Sequence, residues 1–190
     1  MILSGPGILR SYRFNVFRRV GCKMGKRSEN IGKVKRGRSR RIRRISSESS
    51  FCNGPKAVIE CFEEIPCDPC VDACPKGAIR IEGSITALPV LDFEKCTGCG
   101  LCIPVCPGLA VFVVDSDWSE NEGRVKLPYE FLPLPEEKET VIVLDQNGKE
   151  IGTGRVHSIL NPLGFDHTAV ISLIVPKEIV AKVRHFKPVK

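Results

Sequence analysis

Eight of the ten cysteines fall between Cys61 and Cys106, in two runs that share a spacing. The second run reads C-x2-C-x2-C-x3-C-P, and the first run has the same ending after a leading gap of five residues. Short gaps let a chain wrap around a compact metal centre, so that each thiolate reaches a different metal atom. Pro75 and Pro107 follow the last cysteines and end each turn, because proline cannot continue a helix. The spacing therefore predicts two polynuclear centres bound by thiolates.

Other uses of cysteine fit this pattern less well. A lone C-x-x-C motif suits zinc or a redox dithiol, and ten cysteines in a short secreted chain suggest disulfides. A duplicated frame of eight thiols favours two 4Fe–4S clusters over two structural zinc ions and over disulfides. Cys22 and Cys52 lie outside the frame and are interpreted as plain thiols.

Residues 57–115 resemble the bacterial-type dicluster ferredoxins in these runs and in the repeat of C-V-D-A-C-P-K-G-A-I by C-I-P-V-C-P-G-L-A-V. In that family three cysteines of a run bind one cluster and the fourth binds the other. The resemblance implies one cluster on Cys61, Cys67, Cys70 and Cys106, and a second on Cys74, Cys96, Cys99 and Cys102.

The five-residue gap makes Cys61 the least regular of these ligands. Glu64 stands where the shorter gap would place a cysteine, but a thiolate suits iron–sulfur iron better than a carboxylate does. Pro66 biases Ile65 toward an extended backbone, which allows the longer loop to bring Cys61 back. Cys52 is nine residues further away, and Cys61 is therefore the predicted ligand.

The predicted elements repeat a β-α-β order, which indicates an α+β fold with a duplicated unit. Short strands are predicted at Ala57–Glu60, Ala78–Glu82, Val90–Phe93 and Ala110–Asp115, and short helices at 69–75 and Gly100–Cys106.

The second half of the chain is predicted to be a Pro-rich linker followed by a small all-β unit. Prolines between Leu127 and Pro135 argue against a central strand, so residues 117–138 are interpreted as an extended linker. Residues 139–190 contain an Asn147-Gly148 hairpin signal between apolar segments and suggest a half-barrel-like sheet. After Pro176 the sequence pattern does not decide between a short helix and a further strand.

The N-terminal 54 residues are expected to form a basic arm without stable structure. Residues 1–50 carry 15 Lys/Arg and 2 Asp/Glu, a net charge of +13, whereas residues 51–190 carry −6. Blocks of like charge such as Lys33–Arg44 repel themselves and remain disordered without a partner. A solvated tail, sequence upstream of a misplaced start, a docking arm, a nucleic-acid contact and a transit peptide all stay open. The ferredoxin-like domain is assigned to residues 55–116.

The compartment is expected to be reducing. Residues 1–20 contain no uninterrupted apolar segment of the kind found in signal peptides, and no run approaches the roughly 18 apolar residues of a membrane helix. Cysteines used as metal ligands fit a cytoplasmic protein.

A narrower resemblance covers about residues 55–190. The segment I-E-C-F-E-E-I-P-C-D-P-C-V-D-A-C-P-K-G-A-I, followed by P-Y-E-F-L-P-L-P and a β-rich tail, is similar to a small iron–sulfur subunit. Such subunits accompany FAD-dependent amine, proline/hydroxyproline or opine dehydrogenases of anaerobes. The resemblance implies flavoprotein partners that oxidise the substrate, and a non-catalytic subunit that passes electrons on.

The residues outside the cysteine runs offer no catalytic pattern. The chain has no G-x-G-x-x-G and no P-loop, and no catalytic role is expected for His157, His167 or His185, which lack nearby partners in sequence. An electron-transfer subunit is therefore the leading hypothesis. The alternatives are an independent soluble ferredoxin and, more remotely, a nucleic-acid-binding iron–sulfur protein that uses residues 33–44. The sequence leaves the electron acceptor open.

Overall fold

The computed structural model describes residues 54–189 of the protein. The predictions for the basic arm, for Cys22 and for Cys52 fall on residues outside this range. Within the range the chain is mostly β-sheet with little helix, and every part of it lies in one compact unit.

Nine strands and one α-helix make up the regular structure of this part of the chain. The strands are β1 Lys56–Ile59, β2 Ile79–Ile81, β3 Pro89–Leu91, β4 Val111–Asp115, β5 Glu122–Tyr129, β6 Thr140–Leu144, β7 Glu150–Leu160, β8 Ala169–Pro176 and β9 His185–Pro188. The helix is α1, Pro69–Asp72, and short 3-10 turns lie at Leu163–Phe165 and Val180–Lys182.

Seven of these strands form one antiparallel sheet, in the order β1-β4-β5-β8-β7-β6-β9. Strands β2 and β3 form a separate hairpin. Residues 139–190 thus supply four strands to a sheet that also contains β1, β4 and β5. The pairing of β1 with β4, which lie more than fifty residues apart, brings the two ends of the cysteine segment together.

The sheet has a different apolar core on each face. Val58 and Phe112 lie in a core that contains side chains from all seven strands, so the sheet curls around it. Ala57 and Val113 lie in a second core that includes cysteines of both runs. Successive side chains of a strand point to opposite faces, and strands β1 and β4 therefore connect the curled sheet to the cysteine loops.

The predicted linker contains strand β5 in its middle. Tertiary pairing overrides the proline signal here, because β5 pairs with β8 along its whole length. Strand β4 pairs with β5 only from Arg124 to Lys126. Pro128 therefore has a paired strand on one side only, where a missing N–H is tolerated.

The second predicted helix, Gly100–Cys106, is a series of turns. Gly100 has a φ of +92°, outside the helical region, and Pro104 lies within the segment and lacks an N–H. The first predicted helix is present but short, with Pro69 in its first turn, where proline is favoured. After Pro176 the chain forms a 3-10 turn and then strand β9. The segment for which the sequence allowed a short helix or a further strand therefore contains a short helical turn followed by a strand.

The hairpin between β6 and β7 confirms the Asn-Gly turn signal. Gly148 has a φ of +74°, which glycine adopts without steric cost. The Asp145 carboxylate accepts hydrogen bonds from the backbone N–H groups of Asn147 at 2.8 Å and Lys149 at 3.0 Å. No helix among the described residues is long and apolar enough to cross a membrane.

Candidate metal centre

Four cysteines line a first cavity between the cysteine loops and the β2–β3 hairpin. About 400 Å³ of empty space, part of it open to solvent, lies among Cys61, Cys67, Cys70 and Cys106. Its remaining walls are mainly apolar or proline side chains, with one acidic residue, Glu63.

Four other cysteines line a second cavity beneath β1 and β4. About 350 Å³ of empty space, again partly open, lies among Cys74, Cys96, Cys99 and Cys102. Cys96 and Cys102 are buried, whereas Cys99 is exposed. The structure thus brings the eight predicted residues together in two sets of four.

Each set takes three cysteines from one run and one from the other. This grouping equals the one implied by the ferredoxin resemblance, and the binding of iron by the sulfurs stays a prediction. Helix α1 explains part of the crossing: it holds Cys70 in the first set, and its end directs Cys74 to the second set.

Backbone N–H groups lie against the sulfurs. The Ala57 N–H donates to Cys96 Sγ at 3.4 Å, and the Ala78 N–H donates to Cys74 Sγ at 3.2 Å. Ala110 makes the same contact with Cys106 Sγ at 3.4 Å. Such hydrogen bonds stabilise negative charge on ligand sulfur and tune the potential of a bound cluster.

The close approach of the chain to the second set requires glycine. Gly98 has a φ of +64°, and a Cβ atom there would lie 2.5 Å from the carbonyl oxygen of Pro55. No other residue fits this position without moving the backbone. Gly98 therefore allows the second cysteine loop to pack directly against the chain that enters β1.

Burial, with smaller contributions from neighbouring thiols, raises the pKa of Cys67, Cys70 and Cys102. Burial raises the pKa of Cys70 to about 11, with Cys106 and Cys67 adding to it, and burial raises the pKa of Cys102 to about 12. The pKa of Cys67 is also raised, by burial first and then by Cys106 and Cys61. Thiols of this kind give up their protons when a cationic centre binds.

Cys74 differs from the other thiols. Burial raises its pKa, but the backbone N–H groups of residues 76–79 together outweigh burial and lower it. Four thiol donors around each open cavity are the donor set of a 4Fe–4S cluster, and the residues present therefore fit this group. Among the described residues, no three His, Cys, Asp or Glu side chains are grouped so as to hold a single metal ion.

Two lysines that sequence reasoning missed contact the second cysteine loop. Lys56 Nζ donates to the carbonyl oxygen of Cys96 at 2.8 Å. Lys126 Nζ donates to the carbonyl oxygens of Gly98 at 3.2 Å and Cys99 at 3.1 Å. A lysine in a strand belongs to no motif, so only the folded arrangement of β1 and β5 could have identified these contacts.

An ion pair fixes the chain beside the first set. Arg184 donates to both carboxylate oxygens of Glu60, at 2.7 and 2.8 Å. Glu60 directly precedes Cys61, and Arg184 directly precedes β9. The pair therefore joins the edge strand β9 to the segment that leads into the first cavity.

The three histidines lie apart from the cysteine cavities. His157 packs edge-on against Trp118, with ring centroids 5.1 Å apart, and His185 lies 5.8 Å from Tyr129. His167 is exposed. None of them lines either cavity.

Comparison with known proteins gives the class of the cysteine segment. Residues 65–110 match the family described as the 4Fe-4S dicluster domain. Ferredoxin-type protein NapF of Haemophilus influenzae is 38% identical over 63 residues, which are 32% of this chain and 35% of that protein. No solved structure matches the chain.

Two further relatives have names of the same kind. An aliphatic sulfonate oxidoreductase, polyferredoxin-like subunit, of Pyrococcus furiosus is 39% identical over 56 residues, 30% of each chain. Polyferredoxin protein MvhB of Methanothermobacter marburgensis is 41% identical over 92 residues, 40% of this chain and 21% of that protein. The chain spans about a third or less of the length of these three relatives.

The cysteine segment of this chain is therefore similar to 4Fe–4S dicluster domains and to segments of ferredoxin-type proteins and polyferredoxins.

Proposed function

We propose that the protein binds two 4Fe–4S clusters and relays electrons through them. Each cluster would be held by one of the two sets of four cysteines that line the cavities. The observation that carries this proposal is the crossing, in which each set takes its fourth cysteine from the other run. Bound clusters supply one-electron transfer without substrate chemistry by the protein.

The chain's own residues position and shield the two centres. The N–H groups of Ala57, Ala78 and Ala110 donate to ligand sulfurs, and the apolar core below β1 and β4 keeps water from one side of them. These contacts favour the thiolate form of the ligands and hold each sulfur toward its cavity.

Metal analysis tests the two-cluster proposal. The full chain, purified without oxygen, should contain about eight iron and eight sulfide per chain and should give the EPR signal of reduced 4Fe–4S clusters. Cys22→Ser serves as a control that should leave both values unchanged. A protein that contains zinc, no sulfide and no EPR signal would contradict the proposal.

We further propose that the protein is the electron-relay subunit of a flavin-dependent dehydrogenase of the amine, proline/hydroxyproline or opine type. The resemblance of residues 55–190 to such subunits supports this role. The curled sheet extends far beyond the cysteine segment, as expected for a surface that packs on partner subunits. Two relatives are named as subunits of larger enzymes, an aliphatic sulfonate oxidoreductase of Pyrococcus furiosus and a pyruvate synthase of Methanothermobacter marburgensis. Thiolate-bound clusters suit a reducing compartment, and we propose a cytoplasmic location.

Native purification tests this role. The protein should elute from a size-exclusion column in a complex that contains larger subunits and has the absorption spectrum of a flavin. Added substrate of one of the three classes should reduce both the flavin and the iron–sulfur clusters. Elution as a free monomer that exchanges electrons with added redox proteins would favour an independent soluble ferredoxin instead.

A further inference from the structure

Lys126 reaches the second cysteine loop from outside the segment that matches the dicluster family. It lies on β5, and its Nζ donates to the carbonyl oxygens of Gly98 and Cys99 at 3.2 and 3.1 Å. A Cβ atom at Gly100 would lie 3.5 Å from the Lys126 Cδ. The side chain is therefore held against the loop, and its ammonium group contacts residues that line the second cavity.

Lys56 adds a second positive charge on the same side. It lies on β1, on the other side of β4 from β5, and its Nζ donates to the carbonyl oxygen of Cys96 at 2.8 Å. The two lysines approach the loop from two strands of the sheet. The second cavity is therefore flanked by two ammonium groups that bind its loop carbonyls.

The first cavity has the opposite electrostatic character. Residues 60–75 contain five Asp/Glu and no Lys or Arg. Glu63 lines the cavity, and Asp68 directly follows Cys67 in the chain. Among these acids, Glu60 is neutralised by Arg184.

We propose that Lys126 raises the reduction potential of the cluster at Cys74, Cys96, Cys99 and Cys102 above that of the cluster in the first cavity. A cluster becomes more negative on reduction, so a fixed positive charge nearby stabilises its reduced form and raises its potential. The carboxylates near the first cavity destabilise the reduced form of the first cluster and lower its potential. The inference rests on the proposed two-cluster function. It assigns to Lys126, on strand β5 of the curled sheet, a role in setting the potential of the second cluster, and it makes that cluster the one that is reduced first.

An EPR-monitored redox titration of the full chain tests the proposal. The wild-type protein should titrate in two steps of unequal potential. Lys126→Gln should lower the potential of the upper step, which belongs to the second cluster. At a fixed solution potential, the reduced-to-oxidised ratio of that cluster should fall by roughly tenfold, the order expected for one partly buried unit charge. Lys126→Arg keeps the charge and should restore the upper step. Glu63→Gln removes a charge at the first cavity and should raise the lower step.

Lys187→Gln is the matched control, because Lys187 is an exposed lysine on β9, four strands from β5, paired with Glu150. It should leave both steps in place. An unchanged upper step in Lys126→Gln, or an equal displacement of both steps, would overturn the proposal, as would a single wild-type step that contains both clusters. Iron and sulfide analysis of the same samples tests the two-cluster function separately. Fewer than eight iron per wild-type chain would overturn that function and this inference together. Eight iron with an unchanged upper step in Lys126→Gln would overturn this inference alone.

Discussion

The cysteine loops and the curled sheet are stabilised in different ways. The core of the sheet is built from hydrophobic side chains to which all seven strands contribute, such as Val125, Leu127 and Ile171. The core beneath the loops is smaller and contains Cys70, Cys96 and Cys102, with Cys74 and Cys106 packed against it. Apolar burial stabilises a fold without a ligand, whereas cysteines that surround a cavity do so through what they bind. We therefore expect the sheet to keep its fold without a ligand and the loops to depend on the clusters proposed for their cavities.

Removal of the clusters should have the largest effect and should act on one region only. In hydrogen exchange, protein stripped of iron by a chelator should lose protection at residues 61–107, because metal binding and folding are coupled there. Strands β5 and β8 should keep slow exchange, since their pairing and core contain no cysteine. Equal loss of protection in both regions would show that the sheet also needs the clusters.

Substitution of one predicted ligand should affect one of the two proposed clusters and leave the other in place. Cys61→Ser should remove the first cluster or one of its irons while the second remains, because Cys61 lines only the first cavity. Iron analysis should give between about four and seven irons per chain instead of eight. Cys52→Ser is the control that should change nothing. If Cys61→Ser keeps eight irons while Glu64→Ala loses some, the ligand prediction is wrong.

The sequence predicts local features of both regions better than long-range ones. The turn between strands β6 and β7 contains the predicted Asn147-Gly148 pair, because the Asn-Gly turn is a local signal. The cysteine spacing predicts two metal centres, and the resemblance to dicluster ferredoxins implies how the eight cysteines divide between them.

The order of the strands depends on contacts that no local pattern encodes. Strand β5 lies in a segment whose prolines favour a linker, and its pairing with β8 across about fifty residues decides its structure. The contact of Lys126 with the second loop follows from this pairing and could not be predicted before it. The helix expected at Gly100–Cys106 is absent because its glycine adopts a positive φ.

A cavity in the sheet core should destabilise the sheet and leave the clusters intact. Ile171 is fully buried on β8, and Ile171→Ala should lower the free energy of unfolding by about 2–5 kcal/mol. Denaturant unfolding followed by circular dichroism gives this value, and the EPR signal of the folded variant should match that of the wild type. Leu163→Ala is the control, because Leu163 is fully exposed. A comparable loss in Leu163→Ala would contradict this account of the core.

Loss of the ion pair between Arg184 and Glu60 should have a smaller effect that extends to both regions. The pair is partly buried and makes two charged hydrogen bonds, so Arg184→Ala should cost about 1–3 kcal/mol in the free energy of unfolding. Because Glu60 precedes Cys61, the first cluster should also be lost faster to a chelator than in the wild type. Lys187→Ala removes an exposed pair with Glu150 and should cost less than about 1 kcal/mol. Unchanged chelation in Arg184→Ala would show that the pair does not support the first cavity.

The smallest expected effect is a pH dependence confined to the sheet. His185 lies at the start of β9 against Tyr129 and Phe131, and burial lowers its pKa in the folded protein. The pKa of the neighbouring Tyr129 is raised, by burial and then by Glu139, so this phenol stays neutral near pH 7. Unfolded His185 has the ordinary histidine value of about 6.5, and as the pH falls below that value the unfolded chain binds a proton before the folded protein does. The stability that depends on neutral His185 is therefore complete above about pH 6.5 and is lost as the pH falls through the lowered value.

His185→Gln should flatten the dependence of the urea midpoint on pH between about 5.5 and 7, whereas His167→Asn, at an exposed position with a positive φ, should leave it unchanged. An equally steep dependence in His185→Gln would assign it to other groups and remove His185 from the account.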